Sequence, residues 1–177
     1  MGDLLDALYG GQMDLNLFAP EPESRDLKVA VALQRFGLYN ESLRAMAGKT
    51  FGKADAFHVH YWTGRNQEAL GRTKEALSSY EAALRERPAQ TDVMLRLARL
   101  HLNMGGQERA VKMAEQVIAA EPQNVEALTF LAFLYGRSNR RAEAAALAER
   151  ALKADPNNRL AQDLYYLYSP RAANGEP

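Results

Sequence analysis

Residues 81–88 read EAALRERP, residues 117–122 read VIAAEP and residues 149–156 read ERALKADP. Each stretch ends in a proline after a run typical of a helix, and the three prolines are 34 residues apart. A fixed period of this length is the signature of a repeat protein, so the repeat has to be assigned before any single motif is interpreted. The period divides the chain into windows 23–56, 57–90, 91–124 and 125–158, the first of which matches more weakly.

Small residues recur at two places of each window, and a turn residue stands between them. This spacing predicts two helices around a tight turn, because small side chains let helix backbones approach closely and glycine or asparagine adopts the left-handed turn conformation. Neither helix pair can bury its apolar face alone, so neighbouring pairs must stack. The eighth place holds Ala30, Gly64, Ala98 and Ala132, the fifteenth Gly37, Gly71, Gly105 and Asn139, and the twentieth Ser42, Ala76, Ala110 and Ala144.

These windows resemble the tetratricopeptide repeat family over about residues 23–158. The resemblance implies an all-α, right-handed superhelical solenoid of tandem helix-turn-helix repeats. The first window departs from the family pattern late in its length, so its second helix is expected to be short or irregular. The second window carries the family residues Gly64, Gly71, Glu75, Ala76, Tyr80, Ala83 and Pro88, and the fourth carries Leu131, Ala132, Tyr135, Ala144, Ala148, Ala151 and Pro156.

Beyond the fourth window, NNRLAQDLYYLYSP predicts one more helix, capped by Asn157 or Asn158 and ended near Pro170. Its leucines, Leu160, Leu164 and Leu167, are predicted to share one side that covers the last repeat. The predicted domains are an acidic arm or capping helix over 1–22, a degenerate repeat over 23–56, repeats over 57–90, 91–124 and 125–158, a C-terminal capping helix over 159–169 and a disordered tail over 170–177.

Formal net charge is zero, with 22 basic and 22 acidic residues. A protein that binds nucleic acid through its phosphates needs a surplus of lysine and arginine, so nucleic acid is not expected as a partner. The balance conceals a segregation of charge along the chain. Residues 1–24 hold five acidic residues and no lysine or arginine, and the rest of the chain therefore carries a surplus of five positive charges.

Cysteine is absent, which excludes disulfides, thiolate metal ligands and cysteine nucleophiles. No apolar stretch approaches the roughly 18–20 residues needed to span a bilayer, and the N-terminus begins with acids where a secretory signal carries positive charge. These features predict a cytoplasmic protein. Arginine outnumbers lysine 16 to 6, which suggests a bacterial source.

Residues 57–65 read FHVHYWTGR and contain two of the three histidines. Helix residues two apart point about 200° apart, so His58 and His60 cannot share a metal ion. The sequence also lacks a nucleophile with a base at a recognisable spacing, a phosphate-binding glycine loop and a pair of carboxylates in an apolar setting. We therefore expect no enzymatic activity, metal or cofactor.

The resemblance also implies a binding surface. In this family the first helices of successive repeats line a concave groove, which the second, fifth, ninth, twelfth and thirteenth places of each window tend to face. Aromatic and arginine side chains anchor protein interfaces, and an arginine-rich groove with aromatic walls suits an acidic, partly apolar peptide or helix. The predicted partner-binding residues are His58, Tyr61, Arg65, Arg99, Phe133 and Arg137.

Two alternatives bear on this surface. The arginines could be ordinary solvated residues, and Tyr61 and Phe133 could instead pack against neighbouring helices. Family members that clamp the carboxylates of chaperone tails use lysine and asparagine on their groove helices, whereas Leu27 and Val31 stand at the corresponding places of the first window. A dicarboxylate clamp is therefore not expected.

The acidic arm contains two apolar clusters separated by a pair of glycines. One interpretation is a helix that caps the first repeat, as the ends of solenoids require. The other is that the arm occupies the basic groove of its own or a neighbouring molecule and so causes autoinhibition or self-association.

The leading functional hypothesis is a non-catalytic adaptor or scaffold that binds a protein partner in its groove. Two others remain open at this point: a chaperone for bacterial secretion, pilus or cell-envelope assembly, and a self-assembling structural repeat protein.

Overall fold

The computed structural model describes residues 24–169, so the predictions for 1–22 and 170–177 concern segments outside the described residues. Over 24–169 the chain forms nine α-helices and one short 3-10 helix, with no β-strand. It divides into two compact units, Met1–Ala89 (unit 1) and Gln90–Pro177 (unit 2). The predicted all-α repeat fold is confirmed.

Each unit is built from antiparallel helix pairs joined by tight turns, and each of the four windows contains one pair. Unit 1 contains α1 (Arg25–Arg35), α2 (Tyr39–Met46), a 3-10 turn (Lys53–Asp55), α3 (Ala56–Ala69) and α4 (Thr73–Glu86). Unit 2 contains α5 (Thr91–Asn103), α6 (Gln107–Ala120), α7 (Val125–Arg137), α8 (Arg141–Ala154) and the single helix α9 (Arg159–Tyr168). None of the helices in 24–169 has the length and apolar character that crossing a bilayer requires.

The second helix of the first window is short, as expected. Helix α2 has 8 residues, whereas the second helices of the other windows, α4, α6 and α8, each have 14. The backbone leaves the helix after Met46 and passes through Gly48 at φ 70°, a left-handed conformation that glycine adopts without steric cost.

The predicted turn residues adopt the left-handed backbone conformation that reverses the chain between paired helices. Their φ angles are positive, which favours glycine and is tolerated by asparagine. The values are 76° at Gly37, 71° at Gly71, 83° at Gly105 and 61° at Asn139.

The small residues at the eighth and twentieth places are all buried. Gly64 shows why one of them has no side chain: a Cβ there would lie 2.8 Å from ring atoms of Tyr80, which is itself fully buried. The close approach of α3 and α4 that the sequence predicts is therefore filled by an aromatic ring.

A buried polar relay connects the first three helices of unit 1. The Asn66 side-chain amide donates to Ser42 Oγ at 2.7 Å, and the Ser42 hydroxyl donates to the Ala30 carbonyl at 2.6 Å. Asn66, Ser42 and Ala30 are all 0 % exposed, so these hydrogen bonds form away from water, where an unpaired group would be costly.

Helix α9 begins as predicted. The Asn158 side chain accepts a hydrogen bond from the Ala161 amide at 3.0 Å, just as Asn124 accepts from Ala127 at 2.9 Å at the start of α7. The helix contacts α8 and α7, and its Tyr168 ring fills the space where Gly136 has no side chain.

The predicted burial of three leucines on α9 is wrong for two of them. Leu164 is 5 % exposed, but Leu160 and Leu167 are each 54 % exposed. The buried face is centred between Ala161 and Leu164, with Tyr165 and Tyr168 packed beside them, so Leu160 and Leu167 lie at its edge.

Candidate partner-binding surface

An aromatic cluster surrounds α3 in unit 1. The Phe57 and Tyr61 rings stack with centroids 5.8 Å apart, and the Tyr61 ring meets Trp62 edge-on at 5.2 Å. The Tyr80 ring of α4 lies 6.2 Å from Tyr61. Helical spacing brings Phe57 and Tyr61 together on one face, and the four rings form the interior of this part of the unit.

His58 and Tyr61 are buried, at 3 % and 2 % exposed. The expectation that they present open surface to a partner is therefore corrected. Aromatic residues occupy so much of the circumference of α3 that its predicted groove side is also filled. His58 Nδ1 lies 4.0 Å from a carboxylate oxygen of Asp55, itself buried. A partner-binding role for the two residues stays a prediction.

The fifth place of the window is buried in unit 2 as well. Leu95 is 2 % exposed and Thr129 is 4 % exposed, and the Thr129 hydroxyl donates to the Val125 carbonyl at 2.8 Å. In these three windows the fifth place therefore belongs to the interior, whichever residue type stands there.

Arg65 is partly exposed at the edge of the aromatic cluster. Its guanidinium carbon lies 5.3 Å from the Trp62 ring centroid and 6.0 Å from that of Tyr61, within the range of cation–π attraction. Of the three residues predicted in unit 1, it is the one whose side chain reaches solvent.

In unit 2, Arg99 of α5 pairs with Glu126 of α7, Nη2 to Oε1, at 2.7 Å. Both side chains are about half exposed, at 43 % and 49 %, and the guanidinium carbon lies 5.8 Å from the Phe130 ring centroid. The cation is therefore accessible and already shared with a carboxylate.

Phe133 and Arg137 are neighbours on the solvent side of α7. Phe133 is 39 % exposed, and the Arg137 guanidinium carbon lies 5.6 Å from its ring centroid. No carboxylate of residues 24–169 forms an ion pair with Arg137. An aromatic face and a cation are thus exposed side by side, and their role in partner binding stays a prediction.

Two exposed apolar residues of α9 lie outside the predicted partner-binding set, because the sequence pattern of this segment predicts only a cap. Continuing the 34-residue count places Leu160 at the second place and Leu167 at the ninth place of a further window, the places of Glu126 and Phe133 in α7. Both leucines are exposed. The repeat period was the signal that could have identified them.

The repeat assignment is supported independently by a family model described as a tetratricopeptide repeat. It matches residues 67–110 and 107–165, together more than half of the 177 residues. The chain belongs to the tetratricopeptide repeat family. Modules of this family act generally through protein–protein interaction on the surfaces of stacked helices. No curated protein matches the sequence.

Solved structures of other proteins resemble large parts of this chain. A MamA structure from Desulfovibrio magneticus RS-1 is 19 % identical, with 85 % of this chain and 88 % of that chain covered and a TM-score of 0.72. The Arabidopsis OM64 TPR domain is 20 % identical, with 67 % and 98 % covered and a TM-score of 0.61. The first TPR of Spaghetti (RPAP3), bound to the HSP90 peptide SRMEEVD, is 18 % identical, with 67 % and 94 % covered and a TM-score of 0.62. At these identities the likeness shows the fold alone.

A pocket of about 370 Å³ lies among α6, α7 and α8 of unit 2. The Tyr135 hydroxyl donates to Glu115 at 2.7 Å, and the Arg140 guanidinium carbon lies 3.6 Å from the Tyr135 ring centroid. Arg140 Nε also donates to Glu143 at 2.7 Å. Burial and the bond to Glu115 raise the pKa of Tyr135, and the bond from Arg140 lowers the pKa of Glu143. These polar groups satisfy one another and point to no ligand.

Metal ligation has no support in the part of the chain that the structure describes, since no three histidine or acidic side chains are grouped there as a metal site requires.

Proposed function

We propose that this chain is a non-catalytic adaptor or scaffold whose first helices bind an acidic, partly apolar segment of a partner protein. The observation that carries the proposal is the exposure of Phe133 beside Arg137 on α7. A large aromatic face left in water is an anchor for an apolar side chain, and the adjacent guanidinium is a donor for a carboxylate.

The apolar part of this surface extends onto α9. Leu160 and Leu167 expose more than half of their side-chain surface at the same window places that face the groove elsewhere in the family. A partner segment with several large apolar residues would remove this surface from water, at about 25 cal/mol for each Å² buried. Unit 2 therefore favours a peptide or helix that is not purely ionic.

Arg99, a cation of this surface, can exchange its carboxylate partner with little change in free energy. The Arg99–Glu126 pair is half exposed, and pairs of this kind are worth about 0–1 kcal/mol. A carboxylate of the partner can replace Glu126 with little loss of stability. In unit 1, Arg65 is a separate, partly exposed cation.

The peptide bound by the first TPR of Spaghetti (RPAP3), SRMEEVD, contains three acidic residues beside methionine and valine. The segment proposed here has the same general composition. A chaperone tail itself is not expected, because Leu27 and Val31, where clamp residues would stand, are 0 % and 6 % exposed.

Selection of random peptides displayed on phage tests the proposal directly. Peptides enriched on the wild-type chain should combine aspartate or glutamate with leucine, phenylalanine or methionine. A selected peptide should bind the Phe133→Ser, Arg137→Glu double variant at least about tenfold more weakly, as expected when an interface anchor is lost.

The matched control is the Met104→Ser, Arg109→Glu double variant. It also removes one exposed apolar side chain and reverses one exposed arginine of unit 2, but Met104 lies at the end of α5 and Arg109 on the second helix α6. It should bind like the wild type. Selection of peptides without acidic residues, or equal binding by both double variants, contradicts the proposed surface.

A further inference from the structure

Helix α1 has an exposed face that is both basic and apolar. Its inner side is formed by Leu27, Ala30 and Val31, which are buried. At 3.6 residues per turn, the residues opposite them fall within an arc of about 120°. Those residues are Arg25, Lys28, Val29, Ala32, Arg35 and Phe36.

The apolar residues of this region are open to water. Phe36 is 55 % exposed, Leu38 in the following turn is 45 % exposed and Val29 is 38 % exposed. No carboxylate of residues 24–169 forms an ion pair with Arg25, Lys28 or Arg35. The segment that best complements this face is therefore acidic and rich in large apolar residues.

Charge is distributed so that the basic surplus lies in residues 24–89, the part of unit 1 that the structure describes. Residues 24–89 hold 11 basic and 7 acidic side chains, whereas residues 90–177 hold 11 and 10. The acidic arm (residues 1–22) and Glu23 together carry five acidic residues and no basic one. The most acidic segment of the chain is thus joined directly to its most basic segment, residues 24–89.

The start of α1 fixes where the arm is attached. The Ser24 amide donates to Asp55 at 3.0 Å, and Arg25, the first residue of α1, is also the first residue of the exposed face. Extended, 22 residues reach up to about 75 Å, whereas the 11 residues of α1 span about 16 Å. A segment tethered this closely has an effective concentration on the order of millimolar.

We propose that the acidic arm covers the exposed face of α1 in the same molecule and caps the first repeat. Leu4, Leu5 and Leu8 have the spacing of one helical face and would pack on Phe36, Val29 and Leu38. Asp3 and Asp6 flank those leucines and would lie near the cations of α1. The proposal is independent of the partner-binding surface proposed above.

A double-mutant cycle tests the cap. Thermal unfolding midpoints are compared for the full chain and for a chain lacking residues 1–20, each with and without Phe36→Ser. The deletion should lower the midpoint by several degrees. Phe36→Ser should lower the midpoint of the full chain by roughly 3 °C or more and leave that of the shortened chain within about 1 °C. Val29→Ser serves as a second probe with the same expectation.

Met104→Ser is the matched control, because Met104 is 52 % exposed and occupies the same fourteenth place of its window as Phe36. Its effect should be equally small in both chains. Equal effects of Phe36→Ser in the two chains overturn the cap. The cap is also overturned if deleting residues 1–20 leaves the unfolding midpoint unchanged and tightens the binding of selected peptides. That result is expected when the arm occupies the partner-binding surface. The effect of Phe36→Ser could also vanish on dilution, while light scattering shows a dimer dissociating. That result would assign the contact to a second copy and overturn the cap within one molecule.

Discussion

Helices α3 and α7 are both first helices of their repeats, yet they place aromatic side chains differently. In α3 the aromatic residue of the fifth place, Tyr61, is 2 % exposed, and a partly exposed arginine stands at the ninth place. In α7 the fifth place is a buried threonine and the aromatic residue of the ninth place, Phe133, is 39 % exposed. In these two helices the place in the window, more than the residue type, decides whether a ring is buried in the fold or exposed to solvent.

The strongest test of this comparison is truncation of the two rings. Tyr61→Ala should lower the free energy of unfolding by about 3–5 kcal/mol, because it leaves a cavity among Phe57, Trp62 and Tyr80. Phe133→Ala should lower it by less than about 1 kcal/mol, because the ring is already partly hydrated. Urea unfolding of both variants measures the difference, and similar losses would show that the two rings have the same role.

An added methyl group tests the eighth place. Gly64→Ala should destabilise unit 1 by about 1–3 kcal/mol, because the new Cβ meets the buried Tyr80 ring at 2.8 Å. Removal of a helical glycine alone would stabilise by about 0.5–1 kcal/mol. The reverse change at the same place of unit 2, Ala98→Gly, should cost about 1 kcal/mol through helix propensity. A Gly64→Ala chain that unfolds at higher urea than wild type would contradict the close contact of α3 and α4.

The smallest expected effect concerns the shared cation of unit 2. Glu126→Gln should change the free energy of unfolding by no more than about 1 kcal/mol, because its ion pair with Arg99 is half exposed. It should tighten binding of a selected acidic peptide by up to roughly fivefold, since the guanidinium no longer has an internal competitor. Fluorescence titration measures the affinity. Glu149→Gln, which breaks the exposed pair with Lys153 on α8, should leave binding unchanged.

The positions of the helices and turns in each window were predictable because they depend on local features that recur every 34 residues. The positive φ angles at Gly71 and Asn139 and the side-chain cap at Asn158 each depend on one residue and its immediate backbone neighbours. A period of 34 residues then carries such features from one window to the next. Fold class and helix pairing follow from this without knowledge of the distant contacts.

The candidate site was less predictable because burial depends on residues far apart in sequence. Tyr61 is enclosed partly by Tyr80, which belongs to another helix. The 34-residue period does not show how large the side chains that surround a given place are. Helical spacing predicts that Leu167 shares a face with Leu164, whereas the buried face of α9 is centred between Ala161 and Leu164. A sequence pattern is too coarse to show a small rotation of a helix about its axis.

The relay from Asn66 through Ser42 to Ala30 has a chemical consequence. A hydroxyl has a single proton, and Ser42 donates it to the Ala30 carbonyl, so Ser42 can only accept from its other neighbour. The residue at 66 must therefore present a donor, which asparagine supplies and its near-isostere aspartate, once ionised, does not. An Asn66→Asp substitution, which leaves the shape of the side chain almost intact, would set a carboxylate oxygen against a lone pair of Ser42 Oγ in a water-free interior. The direction of one proton thus makes the first repeats sensitive to this substitution at a position where steric fit alone would predict tolerance.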